Sequence, residues 1–395
     1  MLGHKRVPSR EGGVEVVVEE LSVRMAERGY SVTCFNRRGC HVSGKEHGKK
    51  KCSEYKGIRL ITVFTIDRKG LAAVTSSIAA AVRAALGAYE IVHFHAEGPC
   101  VMLWLPKLFG KRCVATIHGL DWQRAKWNGL AAKYIYLGEK MAVRYANEII
   151  VLSKGMQEYF ERKYGRHTVF IPNGVNRAKY REAKLIKDKW GLSPNSYLLF
   201  LGRLVPEKGI AYLIEAFQKV HTDKKLVIAG GSSDTEKYQR ELWEKAKGDK
   251  RILFTDFVQG QILDELYSNA YVYILPSDLE GMPLTLLEAM SYGNCCLISD
   301  IGECTEVAEG KAVIFRHGDS KDLQEKLQML CGHNEIVEKY RKGTAEFICS
   351  KFSWEEAVDR TLALYDMKKT DRKALLKQRD DLHDYKNDKA EGDMR

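Results

Sequence analysis

Short apolar runs alternate with longer amphipathic segments along most of the chain. A short apolar run bounded by turn residues is typical of a strand buried on both faces, whereas apolar positions three and four residues apart are typical of a helix. Strands alternating with helices predict an α/β protein whose parallel sheets carry helices on both faces. The predicted strands are Ser31–Asn36, Ile58–Phe64, Ile91–Phe94, Cys113–Ile117, Glu148–Leu152 and Thr168–Ile171, then Leu198–Leu201, Leu226–Ala229, Ile252–Phe254, Val272–Leu275, Cys295–Ser299 and Ala312–Phe315.

The amphipathic segments predict helices, of which the clearest are Val14–Arg28, Ala72–Leu86, Gly129–Tyr145 and Ile210–Val220. A last helix is expected to begin after Ser353, because a serine followed three residues later by a glutamate forms a capping box. Two stretches lack any such pattern. Residues 37–56 are rich in glycine, lysine and serine and are expected to form a mobile loop, and residues 368–395 are expected to form a charged, disordered tail.

Composition narrows the class of protein. No apolar run approaches the ~18 residues that span a bilayer, and the start of the chain has no apolar signal region. The ten cysteines include no C-x-x-C pair, which favours reduced thiols over a disulfide framework or a zinc site. We therefore expect a cytoplasmic protein.

Positive charge is concentrated in the first part of the chain. Residues 1–180 carry a net charge of +15 and the remainder −4, which together give the overall +11. A basic half could hold an acidic partner or lie on an anionic membrane surface, at ~1 kcal/mol per basic residue near that surface; a solvated basic face with no partner is the alternative. No nucleic-acid-binding motif accompanies the charge, and we expect no nucleic-acid partner.

A glycine turn and a helix start occupy residues 278–290, directly after the apolar run 271–275 that predicts a strand. Free backbone N–H groups and the helix dipole make such a turn an anion site. Pro283 suits the first helical turn, where a missing N–H costs nothing. Glu280 is expected to lie in the loop over one end of the ligand, and Glu288 to reach a polyhydroxyl group at the other end. A sugar–diphosphate–ribose molecule would suit this arrangement. The residues of the turn that would contact the ligand are Gly281, Met282, Pro283 and Leu284.

Two cations follow another predicted strand. Arg203 comes directly after the strand exit at Gly202, and Lys208 lies five residues later, before a helix. Together they can neutralise a diphosphate, the arginine as a fork and the lysine as a point charge. Two ordinary surface cations in a loop are the alternative.

Histidines stand at two further strand exits. His118 ends the Cys113–Ile117 run, at the carboxyl edge where α/β proteins keep their sites. His95 and Glu97 follow the Ile91–Phe94 run and are weaker candidates, since a histidine near a core edge is often only a packing residue. His93 alternates inward and is expected to pack.

The first loop carries Gly12 and Gly13 directly before a helix, where two glycines let the backbone approach a ligand. It is not a dinucleotide fingerprint, because the pattern G-x-G-x-x-G is absent. Only Met1 and Leu2 precede Gly3, whereas strands are usually ~5 residues long. We therefore expect a short first strand and a biological start a few codons upstream.

These motifs together resemble those of the retaining glycosyltransferases of family 4, which have the GT-B fold of two Rossmann-like domains facing a cleft. Glu280 and Glu288 resemble that family's E-G-x-x-x-x-x-x-E signature, and the run from Gly202 to Gly209 resembles its diphosphate-clamping loop. The local string P-x-x-x-G-G-x-E also resembles the opening of bacterial rhamnosyltransferase-type enzymes of polysaccharide assembly. The resemblance covers residues 3–366.

The resemblance implies roles for the candidates. Arg203 and Lys208 would stabilise the leaving diphosphate, Glu288 would bind ribose, and Glu280 and His118 would orient the transferred sugar. The Gly12–Gly13 loop would close on the phosphate and the acceptor. Asn173 matches a P-N-G-V motif at the hinge edge, where a simple turn is the alternative. Near Val258, in the loop that would hold the base, Asp256 replaces the usual glycine and leaves the base open. No D-x-D motif is present, and no metal or other cofactor is expected.

The predicted domains are 1–176, with 352–367 crossing back to it, and 191–350, which would bind the nucleotide sugar. The predicted function is retaining transfer of a sugar from a nucleotide-diphosphate sugar, expected to be a UDP-sugar. The acceptor would be a saccharide or lipid-linked saccharide of cell-surface polysaccharide, at the inner membrane face. The alternatives are a non-catalytic sugar-nucleotide-binding subunit and a UDP-sugar epimerase of GT-B fold.

Overall fold

The computed structural model describes residues 1–39, 53–68, 70–124, 129–231 and 236–366. This part of the chain forms sheets whose strands are parallel except for one short edge strand, and helices pack on their faces, which confirms the predicted α/β class. Most of the predicted mobile loop and the whole predicted tail lie outside the described residues. Within the described ranges, no helix is both long and apolar enough to cross a bilayer.

The strands are β1 (Thr33–Arg37), β2 (Glu54–Tyr55), β3 (Ile58–Val63), β4 (Ile91–His95), β5 (Arg112–Ile117), β6 (Glu148–Val151), β7 (Val169–Phe170), β8 (Tyr197–Leu201), β9 (Lys225–Ala229), β10 (Ile252–Asp256), β11 (Val272–Leu275), β12 (Cys296–Ser299) and β13 (Val313–Phe315). The helices are α1 (Gly13–Glu27), α2 (Leu71–Leu86), α3 (Trp104–Leu108), α4 (Leu130–Tyr145), α5 (Lys154–Tyr164), α6 (Leu185–Trp190), α7 (Ile210–Gln218), α8 (Glu236–Ala246), α9 (Gln261–Asn269), α10 (Leu284–Ser291), α11 (Gly302–Ala308), α12 (Ser320–Gly332), α13 (Asn334–Arg341), α14 (Thr344–Lys351) and α15 (Trp354–Asp366). The predicted strands are all present, within about two residues at each end. The sequence pattern missed β2, which pairs antiparallel with β3.

The second sheet has the strand order β10-β9-β8-β11-β12-β13, and all its pairs are parallel. Along the chain, successive strands are added on one side of β8, as β9 and β10, and then on its other side, as β11, β12 and β13. The order therefore reverses between β8 and β11, and a crevice opens at their carboxyl ends. The loop after β8 carries Arg203, and the loop after β11 carries Glu280.

The first sheet follows the same rule. Strands β4-β5-β6-β7 form one part and β1-β3-β2 the other, and Leu2 joins them. The Leu2 N–H donates to His93 O at 3.0 Å, and the Phe35 N–H donates to Met1 O at 3.0 Å. The segment Met1–Leu2, which precedes β1, is as short as expected, yet it hydrogen-bonds to β4 on one side and to β1 on the other. Here the order reverses between Leu2 and β4. The Gly12–Gly13 loop follows Leu2 in the chain, and His95 is the last residue of β4.

The last helix packs on the first. Trp354 at the start of α15 is buried among Val17, Leu21 and Ile171. Ion pairs flank this contact: Arg24 donates to Glu355 at 2.8 Å, and Arg28 donates to Asp359. Helix α15 follows the second sheet in the chain but packs against the first domain, and it thereby ties the two together.

We expect Trp354→Ala to lower the free energy of unfolding by about 3–5 kcal/mol, because it empties a well-packed site between α15 and α1. The matched control is Trp243→Ala on α8, whose side chain is 45% exposed and should cost much less. Chemical denaturation of both variants gives the comparison. Equal losses would contradict a structural role for the crossing helix.

Candidate active site

A buried ion pair lies at the reversal point of the second sheet. Lys208 ends a short 3-10 helix, Pro206–Lys208, and its ammonium donates to the Glu280 carboxylate. The Ser277 hydroxyl also donates to Glu280, at 2.7 Å. Burial alone would raise the pKa of Glu280, but the Lys208 charge and these hydrogen bonds outweigh it and hold the pKa below its ordinary value. Both candidates are therefore charged and close together.

Arg203 lies beside this pair without a hydrogen bond or ion pair to any described residue. Burial and the neighbouring Arg124 guanidinium lower its pKa, in that order, against the attraction of Asp121 and Glu207. A guanidinium that is largely removed from water and repelled by a second cation favours an anionic ligand. Of the predicted cations, Arg203 is the one that is free to bind.

The start of α10 faces the same space. Pro283, expected in the first turn, is the cap residue directly before Leu284, and its carbonyl accepts from the Leu286 and Leu287 N–H groups. The amides of Leu284 and Thr285 have no acceptor within the helix, and no side chain caps this end. These amides and the helix dipole are available to an anion.

Glu288 lies one turn further along α10 and lines the cleft. The Tyr267 hydroxyl donates to its Oε2 at 3.1 Å. Burial raises the pKa of Glu288, although the nearby Arg10 guanidinium opposes the shift. Because Glu288 lines the cleft, its carboxyl oxygens can accept hydrogen bonds from hydroxyl groups of a bound ligand.

The two domains meet at glycines. A Cβ on Gly281 would lie 1.6 Å from the His118 carbonyl oxygen, and one on Gly13 would lie 3.5 Å from Leu284 Cδ1. The Asn173 N–H also contacts Met282 Sδ at 3.1 Å. The glycine of the E-G pair is thus required by the close approach of the first domain's backbone, which no sequence pattern indicates.

His118 lies on the first domain's side of the cleft, directly after β5. Burial lowers the pKa of His118 to about 4, although Asp121 opposes the shift, and the ring is neutral at ordinary pH. Its Nε2 lies 3.1 Å from His95 Nδ1. His95 is therefore behind His118, and it reaches the cleft only through that ring.

Helix α1 begins at the cleft with Gly12 as its cap and Gly13 as its first residue, and no side chain caps it. Arg10 precedes these glycines and donates to Glu20 at 2.9 Å. The first loop therefore presents free amides opposite those of α10.

The cleft brings together most of the predicted residues in an open space of about 1340 Å³. Its lining includes Gly12, Gly13, His118, Asn173, Arg203, Lys208, Val258, Glu280, Gly281, Met282, Pro283, Leu284 and Glu288. Glu97 does not line it. This carboxyl group is buried behind the cleft, where burial and then the neighbouring Asp121 and Glu139 raise its pKa to about 10.

The loop after β10 borders the cleft through Phe257 and Val258. Asp256 has φ = 57°, a left-handed conformation that glycine prefers and that aspartate tolerates. Its carbonyl accepts from the Gly230 N–H at 3.0 Å. The departure from glycine at this position therefore keeps the backbone shape.

Sequence reasoning missed Arg124 and Ser277. The Arg124 guanidinium donates to Asp121 at 2.6 Å, and 3.6 Å separates it from Glu207 of the other domain. At 3.6 Å, Arg124 and Glu207 form an ion pair but no hydrogen bond. The buried Glu207 carboxylate has no hydrogen-bond partner among the described residues. Neither residue belongs to a motif. The sequence could have indicated them only through their closeness along the chain to His118 and Glu280.

Two family models divide the chain. Residues 11–179 match the one described as Glycosyltransferase Family 4, and residues 182–347 match the one described as Glycosyl transferases group 1. The alpha-maltose-1-phosphate synthase of Mycolicibacterium smegmatis is 25% identical over 285 residues, which are 65% of this chain and 73% of the relative. An Escherichia coli protein, UDP-Gal:alpha-D-GlcNAc-diphosphoundecaprenol alpha-1,3-galactosyltransferase, is 28% identical over 228 residues, which are 54% of this chain and 58% of the relative.

A solved structure shares the fold of this chain. The Anabaena HepE protein, in complex with UDP-glucose, matches with a TM-score of 0.74 at 16% identity, over 91% of this chain and 98% of that one. At this identity the likeness concerns the fold. It confirms the predicted GT-B architecture of two Rossmann-like domains facing a cleft.

We expect Glu280→Gln to lower the free energy of unfolding by about 3–5 kcal/mol at neutral pH, because it leaves the buried Lys208 ammonium unpaired. The native pKa of Glu280 is below its ordinary value, so the pair's contribution is complete above that value and is lost as pH falls through the native pKa. The measurement is denaturation of wild type and variant across acid pH.

The control is Glu215→Gln, since Glu215 pairs with Lys245 at the surface with 46% of its side chain exposed. It should change the stability by less than about 1 kcal/mol. A Glu280→Gln loss as small as this, or one that persists at acid pH, would contradict the charged pair.

Proposed function

We propose, because this chain belongs to the group 1 and family 4 glycosyltransferases, that it is a retaining enzyme whose donor is a UDP-sugar. Members of that family transfer a sugar from a nucleotide sugar, and this chain shares that activity. One observation carries the finer proposal. Arg203, which pairs with no residue that the structure describes, lies in the same space between the two domains as the Lys208–Glu280 pair and the free amides at the start of α10.

The donor diphosphate would lie in this space. Arg203 and the α10 amides would contact its oxygens, and Lys208 would exchange part of its bond to Glu280 for a phosphate oxygen. Fixed positive groups of this kind stabilise the charge that develops on a leaving group. They stand in the position of a metal ion, and we expect the reaction to need no metal or other cofactor.

Glu288 would accept from the ribose hydroxyls, and Val258 and its loop would border the base. His118 and Glu280 would lie along the transferred sugar. As the bond from the anomeric carbon to the phosphate breaks, the acceptor oxygen would attack from the same face. The departing phosphate would take the acceptor's proton. The engagement of Glu280 with Lys208 and Ser277 supports this route over one with a carboxylate nucleophile.

We propose that the acceptor is a lipid-linked saccharide of cell-surface polysaccharide, bound from an anionic membrane surface at the cytoplasmic face. The E. coli relative is named for an acceptor on diphosphoundecaprenol. The first 180 residues of this chain carry +15. Both observations support an acceptor that is negatively charged and held at a lipid surface.

An exposed apolar face in the first domain also supports the membrane partner. Ile78, Val82 and Leu86 follow one another at four-residue intervals along α2, and Leu86 is 70% exposed. Helix α3 packs beside α2 and exposes Trp104 and Leu108, the latter by 74%. Helix α2 has no acidic residue, and its one charged residue is Arg83. An apolar stripe with basic charge suits the boundary of an anionic bilayer.

A UDP-sugar epimerase of the same fold and a non-catalytic binding subunit are the alternatives. An epimerase would isomerise the donor without an acceptor, and a binding subunit would leave it unchanged even with one. The intact set of Arg203, Lys208, Glu280 and Glu288 favours catalysis, because a lost cation or carboxylate would have indicated a non-catalytic subunit. NMR of the donor incubated alone, and then with acceptor, separates the three.

We expect Arg203→Ala to lower the transfer rate by about 100-fold or more, because one fixed donor to a leaving group contributes that much. Arg203 has no described partner, so its removal strands no other charge, and the free energy of unfolding should hardly change. The measurement is turnover with saturating UDP-sugar.

The control is Lys219→Ala, an exposed cation at the end of the neighbouring α7, which should act like wild type. A near-normal rate in a folded Arg203→Ala protein would remove Arg203 from the diphosphate site.

We expect the double variant Leu86→Glu, Leu108→Glu to weaken binding to anionic vesicles by about tenfold or more. Each charge near the surface is worth about 1 kcal/mol, and 1.4 kcal/mol is tenfold. The assay is co-sedimentation with phosphatidylcholine vesicles, with and without phosphatidylglycerol. Trp243→Glu, on an exposed apolar residue of the second domain, is the control and should bind as wild type does. Equal binding of all variants would rule out this face.

A further inference from the structure

A line of buried histidines runs from the last helix to the cleft. His93 Nδ1 is 2.6 Å from the Tyr365 hydroxyl of α15, and its Nε2 is 2.7 Å from the Thr116 hydroxyl. The His95 ring stacks on His93 with centroids 4.3 Å apart. His95 in turn contacts His118, which lines the cleft. These contacts fix both the position and the plane of the His95 ring.

Each ring in this line is neutral, since burial lowers the pKa of His93 and His95 well below the ordinary value. A neutral imidazole carries one N–H and one bare nitrogen, and the hydrogen bond at one nitrogen decides the state of the other. The contact between His95 Nδ1 and His118 Nε2 therefore allows two arrangements, according to which of the two nitrogens holds the proton.

The far nitrogen of His95 distinguishes them. His95 Nε2 is buried and has no hydrogen-bond partner among the described residues. If His118 Nε2 were the donor, His95 would carry its proton on Nε2, as a buried N–H with no acceptor. If His95 Nδ1 is the donor, Nε2 is only a bare acceptor. Buried N–H groups without an acceptor are rarer in folded proteins than acceptors without a donor.

We propose that His95 is a positioning residue that donates from Nδ1 to His118 Nε2 and so places the His118 proton on Nδ1. His118 Nδ1 forms no hydrogen bond with a described residue, and it is the nitrogen left for a ligand. The cleft therefore receives an N–H donor from the first domain. Such a donor recognises an oxygen acceptor, which under the proposed function is a hydroxyl oxygen of the donor sugar.

This inference rests on the proposed function only for the identity of that oxygen. The proton position can be read in the protein without any ligand. Long-range ¹H–¹⁵N NMR of ¹⁵N-histidine-labelled protein distinguishes the two tautomers, and the spectrum of His118→Asn identifies the His118 signals. We expect His118 to be protonated at Nδ1. Protonation at Nε2 in the wild-type protein would overturn the proposal, whatever the activity.

Kinetics supply the second test. We expect His95→Phe, which keeps a ring of similar size, to lower kcat by about 10- to 100-fold, as loss of an orienting hydrogen bond does at other sites. The KM for the nucleotide sugar should stay within about threefold, because the diphosphate contacts are intact. His95→Asn places an amide near the Nδ1 position and should restore most of kcat.

The matched control is His93→Phe, on the same strand and equally buried, which loses two hydrogen bonds but none to His118. A phenylalanine ring at this position can still stack on His95 and keep the plane of that ring, so kcat should stay close to that of wild type. A His95→Phe protein with normal kcat, or equal losses in the two Phe variants, would reduce His95 to packing and overturn the proposal. If the wild-type protein transfers no sugar, the proposed function fails, and the tautomer is still decided by NMR.

Discussion

The reversal of strand order is the constraint on which this molecule depends. In an open parallel sheet, the loops after two adjacent strands lead to opposite faces of the sheet at the point where the strand order reverses. The crevice between those loops is where α/β proteins bind their ligands. Both sheets have such a point, between Leu2 and β4 in the first and between β8 and β11 in the second. The two points face one cleft. Arg203, Lys208 and Glu280 follow the strands that border the second point, whereas His118 follows β5, which is one strand away from the first.

Electrostatics in the cleft depend on cations that are already desolvated. Lys208 is balanced by Glu280, and Arg124 by Asp121. Arg203 has no ion-pair partner in the described part of the chain and is repelled by Arg124. A diphosphate entering this space would relieve that repulsion and need little rearrangement. Fixed positive groups of this kind act on a leaving group without the cost of reorganising solvent.

Sequence patterns predicted the strands, the α/β class and most of the cleft residues, because strand periodicity and the residues at strand exits are local features. They could not predict that Lys208 and Glu280 bond to each other, since those residues are far apart in the chain. Glu97 was a candidate because it follows β4 closely, but burial places it behind the cleft. Arg124 belongs to no local motif. It lies near His118 in the sequence, but its ion pair with Glu207 forms only because the two domains approach each other.

In the proposed mechanism, protein cations and helix amides hold the diphosphate in place of a metal ion. Titration calorimetry of UDP into the protein tests it directly, in the presence of EDTA and then with excess magnesium or manganese. Equal binding in both conditions is the result expected from the arrangement of Arg203, Lys208 and the start of α10. Binding that requires the metal, and disappears in EDTA, would contradict it.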